Sequence, residues 1–277
     1  MQCDHIKNPM SQVQYVHGYS AREADRLADQ ANTLSELLHH DTSYPPGSLV
    51  LECGCGTGAQ TVFLAARSPL ARIVSVDISA DSLEQARARI EAAGHRNVEF
   101  RVANLFDLPF GEEHFDHVFL CFVLEHLAEP VAALRALKRV LRRGGTVTAI
   151  EGDHGSWFSY PQTPESARAV QCLVELQARM GGDALVGRRL FPLLVEAGFR
   201  EVRVSPRMVY VDNSRPDLVE GFSKNTFTAM VEGVRDRALS LGLVDQRTWE
   251  KGIADLYRAT EPDGTFCYTF FKGVAAR

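Results

Sequence analysis

The sequence predicts an α/β fold built on a mainly parallel sheet, and three observations carry that expectation. From residue 49 onward, short apolar runs alternate with amphipathic ones. That βαβα order places helices on both faces of one sheet. A glycine-rich turn joins the first apolar run to the helix after it. The run at 115–123, FDHVFLCFV, is almost wholly apolar, as a strand covered on both faces must be. In such a sheet the ligand crevice lies at the carboxyl ends of the strands.

The elements follow in order. Residues 1–18 are polar and irregular. A helix is expected over 20–40, with Leu27, Leu34, Leu37 and Leu38 on one face and Ser20 with Glu23 as a capping box. Tyr44-Pro45-Pro46-Gly47 ends it. Strands are expected over 49–52, 72–77, 98–102, 115–123 and 146–151. Between them fall helices over 59–67, 81–93 and 130–141, the second stopped by Gly94 and the third begun by Pro130. Two further helices, 165–180 and 184–197, precede a sixth strand over 202–211. Residues 213–262 read as mostly helical, with 216–241 and 249–259 as the candidates, and 265–274 forms an aromatic last strand. No repeat, low-complexity tract or linker divides the chain, so one domain is expected over 1–277.

Composition narrows the class. The 277 residues are 45% hydrophobic and 23% charged, the balance of a globular protein. A net charge of -5 argues against a chain that binds nucleic acid as a whole. The six cysteines form no C-x-x-C pair and read as reduced thiols. The start, MQCDHIKNPM, lacks the basic-then-apolar order of a secretory leader. No apolar run approaches the ~18 residues of a membrane span. A cytoplasmic chain without a membrane segment is therefore expected, as a monomer or homodimer.

Leu51–Gln60 reads LECGCGTGAQ. Glycines between a strand and a helix let the backbone approach a ligand and leave N–H groups at the helix start. Asp77 ends the second strand, where a carboxylate can accept both hydroxyls of a ribose. An adenosine-type ligand across the first two strands follows. Gly54-x-Gly56-x-x-Ala59 also satisfies the dinucleotide fingerprint, so a nicotinamide dehydrogenase competes. Against it, Glu52 would repel a pyrophosphate, whereas a carboxylate there suits a cation.

LECGCGTGAQ, VDIS (76–79), ANLFDLPF (103–110), FDHVFLCFVLEHL (115–127) and LKRVLRRGGTVTAIEG (137–152) occur in this order. Together they resemble the consecutive motifs of class I S-adenosylmethionine (SAM) dependent methyltransferases, in particular the ubiquinone/menaquinone C-methyltransferase-like, type 11 group. The resemblance implies a Rossmann-like doubly wound seven-stranded sheet of order 3-2-1-4-5-7-6, with the last strand antiparallel. It implies N-terminal helices and, here, a helical insertion before the last strand. It also implies SAM as cofactor. Glu52, Gly54, Gly56 and Gly58 would border the methionine moiety. Asp77 would bind the ribose, and Ile78 and Leu105 would cover the adenine. Asn104 would meet the adenine amino group through its carbonyl. Cys121 and Phe122 would lie beside the sulfonium. Residues 1–46 would form a lid in which Tyr19 and Gln30 close the cofactor site. Residues 47–152 would be the SAM-binding core, and 153–277 the acceptor side.

The acceptor candidates lie after the fourth and fifth strands. Glu125 and His126 follow the fourth, and Glu125 stands as a possible acceptor contact. Asp153-His154 leaves the fifth at the crevice edge, where an Asp could set the tautomer of a His base. Asp153, Trp157 and Tyr160 would line the acceptor pocket. His39-His40-Asp41 fits a helix end better than a metal site, since no full ligand set accompanies it. The expected function is methyl transfer from SAM to a small molecule. The alternatives are cyclisation of SAM itself, a non-catalytic SAM-binding scaffold, and the dehydrogenase.

Overall fold

A computed structural model describes residues 21–277, with side chains from Gln30 onward. Tyr19, and the neighbouring Tyr15 and His17, lie outside the described residues. Seven strands form one sheet in the order 3-2-1-4-5-7-6. They are β1 (Leu49–Cys53), β2 (Arg72–Asp77), β3 (Val98–Val102), β4 (Phe115–Cys121), β5 (Leu141–Tyr160), β6 (Arg200–Val211) and β7 (Thr265–Ala276). The first five pair in parallel, and β7 runs antiparallel to both β5 and β6.

The helices form where caps and periodicity place them. Helix α1 (Ala21–His39) precedes the sheet, and α2 (Thr61–Arg67) follows the glycine turn. The Ser79 hydroxyl caps α3 (Ala80–Ala92) by accepting the Ser82 N–H, and Pro130 opens α4 (Pro130–Val140). Thr163 and Ser166 make a reciprocal capping box on α5 (Pro164–Arg179). A 3-10 turn, Val186–Arg189, leads into α6 (Leu190–Glu196).

The core has two main layers, one on each face of the sheet. Under α1, α5 and the insertion lie Leu38, Phe119, Ile150, Phe222, Phe227 and Trp249. Under α4 and α6 lie Leu51, Leu120, Leu134, Val147 and Leu194. Each face buries the alternate residues of β1 and β4, which is why both strands read as continuous apolar runs.

Three expectations need correction. The fifth strand was expected over 146–151 but spans Leu141–Tyr160. Residues EGDHGS lack strand propensity, yet β7 pairs along them from Thr146↔Ala276 to Tyr160↔Thr265, with an irregularity between Asp153 and Phe158. Tertiary pairing overrides the local preference. The expected helix over 216–241 is broken into α7 (Pro216–Leu218), a π-helix (Val219–Thr228), α8 (Ala229–Glu232) and α9 (Arg235–Ser240). In the π-helix, the Thr226 and Thr228 hydroxyls donate to the carbonyls of Gly221 and Ser223, five residues back. The helix expected over 184–197 is a 3-10 turn followed by seven α-helical residues. The last helix, α10 (Gln246–Arg258), is capped by Asp245 and packs on α5, where Gly252 meets the Glu165 backbone.

Two contacts position the covering elements. Gly221 of the π-helix abuts Thr33 of α1, and any Cβ there would strike the Thr33 hydroxyl. Just beyond the C-terminus of α1, buried Lys272 of β7 donates to Asp41 and Thr42, both at 2.7 Å.

Candidate functional site

The glycine turn has the backbone its sequence implies. Gly54, Gly56 and Gly58 all adopt positive φ, at 69°, 51° and 77°. A Cβ on Gly54 would lie 2.6 Å from Val123 Cγ2, so glycine there lets the loop after β4 close in. A Cβ on Gly56 would meet nothing within 4 Å, which leaves room above the turn. Asp77 pins that turn: its Oδ2 accepts the Gly56 N–H at 2.8 Å and its Oδ1 accepts the Ser79 N–H at 2.9 Å. Each oxygen retains a second lone pair for a ligand hydroxyl.

Glu52 lies beneath the turn and is 2% exposed. Its Oε2 accepts the Ser75 hydroxyl at 2.6 Å. Burial pushes its carboxyl up to about 7, against the pull of that bond. A buried acid with Asp77 close by gains from a cationic ligand and opposes a pyrophosphate. The donor set therefore fits SAM, whose sulfonium and ammonium are cationic.

The adenine-side candidates are brought to the same edge. Ile78 is 55% exposed and presents an apolar platform. Leu105 is half-buried. The Asn104 carbonyl, expected to meet adenine, already accepts the Phe106 N–H at 2.9 Å. It closes its own turn first and offers only its remaining lone pair. Gln30 is half-buried on α1. Cys121 ends β4, and Phe122 follows it with φ at 59°. That left-handed backbone is uncommon for a bulky residue and is the kind of strain held at functional turns.

The acceptor candidates sort differently from the sequence expectation. Asp153 does not orient His154. Its two oxygens are taken by Arg188, Oδ2 by Nε at 2.6 Å and Oδ1 by Nη2 at 2.8 Å. His154 Nδ1 instead meets the Tyr268 hydroxyl at 2.6 Å. The reason is alternation along a strand: Asp153 and His154 face opposite sides, so neighbours in sequence cannot pair. The same rule separates Trp157 from Tyr160. Trp157 packs inward on Phe227 at 5.8 Å and Phe266 at 6.3 Å, whereas Tyr160 is 66% exposed. Tyr160 does not join the aromatic wall.

Sequence reasoning missed four residues. Tyr268 is buried within a row of rings, 4.7 Å from Phe270, 5.7 Å from Phe227 and 5.8 Å from Phe222. Burial, then the charges of Glu125 and Asp153, push its phenol well up. The alternation in FCYTFF was its signal, a polar handle in the middle of an apolar row. Arg188 gave no signal. Glu151 is fully buried, and its Oε1 accepts the N–H groups of Val123 and Leu124 at 3.0 and 2.8 Å. Burial and then Glu125 push it up to about 8. Gln177 of α5 donates to Glu125 from its buried side. Among the described residues no His, Cys, Asp or Glu cluster can hold a metal ion, and no helix is long and apolar enough to cross a membrane.

Strand order, glycine turn and Asp77 define the class I methyltransferase fold. Within it, residues 51–149 match the model of the family described as "Methyltransferase domain". The chain is 33% identical over 214 residues to an uncharacterized 37.1 kDa protein in a transposon of Streptomyces fradiae, covering 76% of this chain and 61% of that one. It is 29% identical to a demethylmenaquinone methyltransferase of Clavibacter sepedonicus, covering 79% of this chain and 75% of the relative. The chain thus spans about three fifths of the transposon protein's length. The fold is also that of Haemonchus contortus phosphoethanolamine N-methyltransferase 2 in complex with SAM, with a TM-score of 0.54 and 15% identity, covering 89% of this chain and 52% of that one.

Proposed function

We propose that this chain is a SAM-dependent methyltransferase acting on a small molecule. The observation that carries the reading is the positive-φ glycine turn pinned by Asp77 above buried Glu52. Gly54, Gly56 and Gly58 would border the methionine moiety, with Glu52 supplying negative charge beneath it. Asp77 would hold the ribose hydroxyls, while Ile78, Asn104 and Leu105 flank the adenine. Cys121 and strained Phe122 would face the sulfonium. Bound SAM supplies an electrophilic methyl group.

The chain's own task is then to hold an acceptor in line with that methyl and to keep water out. A parallel sheet offers few walls above its carboxyl edge. Here the extended β5–β7 pair supplies one wall, through Trp157, Tyr268 and Phe270. Helix α1 would act as lid, and residues 213–262 would act as cap. The insertion's Phe222, Phe227 and Trp249 are buried and hold the cap on the sheet rather than facing solvent. His154 is the candidate base on this side, held by Tyr268, and Glu125 is the second acidic candidate. Asp153 acts through Arg188 as a wall support.

The test is incubation with SAM and a metabolite pool, read by mass spectrometry. S-adenosylhomocysteine together with a product one methylene heavier supports the reading. Methylthioadenosine as the nucleoside product, or binding of a nicotinamide dinucleotide in place of SAM, overturns it.

A further inference from the structure

We infer that the acceptor is an amine, held as its ammonium ion at the carboxyl edge of β4 and β5 by Glu125, Glu151 and Gln177. This rests on the methyltransferase reading and adds the substrate class to it.

The argument starts from hydrogen-bond acceptors that lack donors. Gln177 is 2% exposed, and its Nε2 donates to the Glu125 carbonyl at 3.0 Å and to Glu125 Oε2 at 3.2 Å. Those two bonds fix which way the amide points. Its Oε1 is buried and has no hydrogen-bond partner among the described residues. Glu151 uses Oε1 for two backbone N–H groups, while its Oε2 is also buried and lacks a partner. Glu125 is 8% exposed and close enough to Glu151 to raise its carboxyl. Buried polar atoms are almost always paired. Two orphaned acceptors, on Gln177 and Glu151, beside the Glu125 carboxylate, whose Oε1 lies 3.6 Å from His126 Nε2, call for a ligand that brings donors and positive charge.

The surroundings agree. Burial and the charges of Glu151, Glu52 and Glu125 push the Cys121 thiol up, and Glu125 does the same to the Tyr268 phenol. Glu125, Glu151 and Glu52 therefore stand close to the residues placed beside the sulfonium and the acceptor wall. Phe122 lies 5.6 Å from Phe270, which is 4.7 Å from Tyr268. Aromatic rings of this kind favour an organic cation over a hydrated metal ion. A phenolate, enolate or carboxylate acceptor would add a further negative charge to the group.

The chemistry balances. The ammonium gives one proton to the Glu151–Glu125 pair. The freed nitrogen lone pair forms a bond to the methyl carbon as the carbon–sulfur bond breaks. The electrons of that bond stay on sulfur, so the sulfonium becomes a thioether and the product is a methylammonium. Glu151 is suited to this exchange: its carboxyl, held at about 8, keeps a proton when no cation is near and loses it when one arrives.

The test uses the full chain. SAM affinity is first measured by calorimetry, so that failure of the cofactor reading is seen separately. A panel of primary and secondary alkyl and arylalkyl amines, protonated at neutral pH, with matched phenols, is then offered with SAM. Methylation of amines over phenols is expected. Glu125→Gln should raise the amine KM at least tenfold with SAM affinity unchanged. In wild type, amine binding in the presence of S-adenosylhomocysteine should release protons at neutral pH, measured in two buffers of different ionisation heat, and Glu151→Gln should abolish the release. SAM binding with methylated phenols and no methylated amine overturns the inference. So does amine binding without proton release in wild type, or a loss of SAM affinity in Glu125→Gln, which would assign these carboxylates to the cofactor's own ammonium.

Discussion

His154 Nδ1 and the Tyr268 hydroxyl lie 2.6 Å apart, both residues buried, and the phenol oxygen sits against Gly152 so closely that a Cβ there would be 2.5 Å away. On the proposed reading the phenol fixes the imidazole at the acceptor side. If His154 rather than the Glu151–Glu125 pair takes the acceptor's proton, His154→Ala should lower kcat by about 100-fold, the scale of a lost general base, with SAM affinity retained. Tyr268→Phe keeps the ring packing and loses only the bond, so its kcat should fall less. Gly152→Ala should match Tyr268→Phe, because the added methyl pushes the hydroxyl away. Steady-state kinetics with calorimetric SAM binding decides. Unchanged turnover in His154→Ala across the neutral pH range removes it as the base.

Arg188 is half exposed, yet its partner Asp153 is 2% exposed. Arg188→Ala therefore strands a buried carboxylate and should cost about 2–3 kcal/mol in urea unfolding. Arg188→Lys should recover only part, since an ammonium cannot reproduce the two-pronged contact. Equal stability in all three proteins would show the pair to be dispensable.

Asp77 both orders the glycine turn and faces the predicted ribose. Asp77→Ala should weaken SAM binding by about 2–4 kcal/mol through lost charge-assisted bonds. Asp77→Asn should lose less, because its carbonyl can still accept the Gly56 N–H. Titration calorimetry on folded variants measures both, and unchanged affinity in Asp77→Ala would remove the ribose assignment.

Glu52 makes stability depend on pH with a definite sign. Its carboxyl rises from 4.5 to about 7 on folding because of burial. Below about pH 4.5 the acid is neutral in both states and imposes no penalty. Between that and about 7, the unfolded chain ionises while the folded chain holds its proton, so stability falls as pH rises. Glu151 acts in the same direction up to about 8. Buried His39, held down to about 4, acts in the opposite sense over part of this range, so the comparison is between proteins. The urea midpoint of Glu52→Gln relative to wild type should climb from about pH 5 to about pH 7 in the ligand-free state, and a difference that stays constant over this range contradicts the assignment.

The parts of the fold written in local chemistry were legible in the sequence. Alternating βα runs, Pro130, Gly94 and the glycines of the first turn each act within a few residues, and the first four strands and their helices follow from them. The long β5 was not legible, because EGDHGS becomes strand only through β7, more than a hundred residues later. Separation along the chain also hid Tyr268, 114 residues from His154, and Arg188, 35 residues from Asp153, whereas Asp153 and His154 were visible and read as partners of each other. The anchoring role of the insertion's buried Phe222, Phe227 and Trp249 was not legible, since hydrophobicity alone does not distinguish a ring that lines a site from one that anchors a helix.

The contact between Gly221 and Thr33 has a consequence for traffic. Helix α1 and the π-helix meet there with only the Thr33 side chain between their backbones, so on the proposed reading the two would move together. Lys272 fastens the segment just after α1 to β7 through Asp41 and Thr42 and would serve as the hinge pin. On the proposed lid-and-cap reading, solutes on that side would meet a single door leaf, and loading and unloading would share one opening event. A bulky residue at position 221 would split that leaf in two and uncouple the timing of its halves.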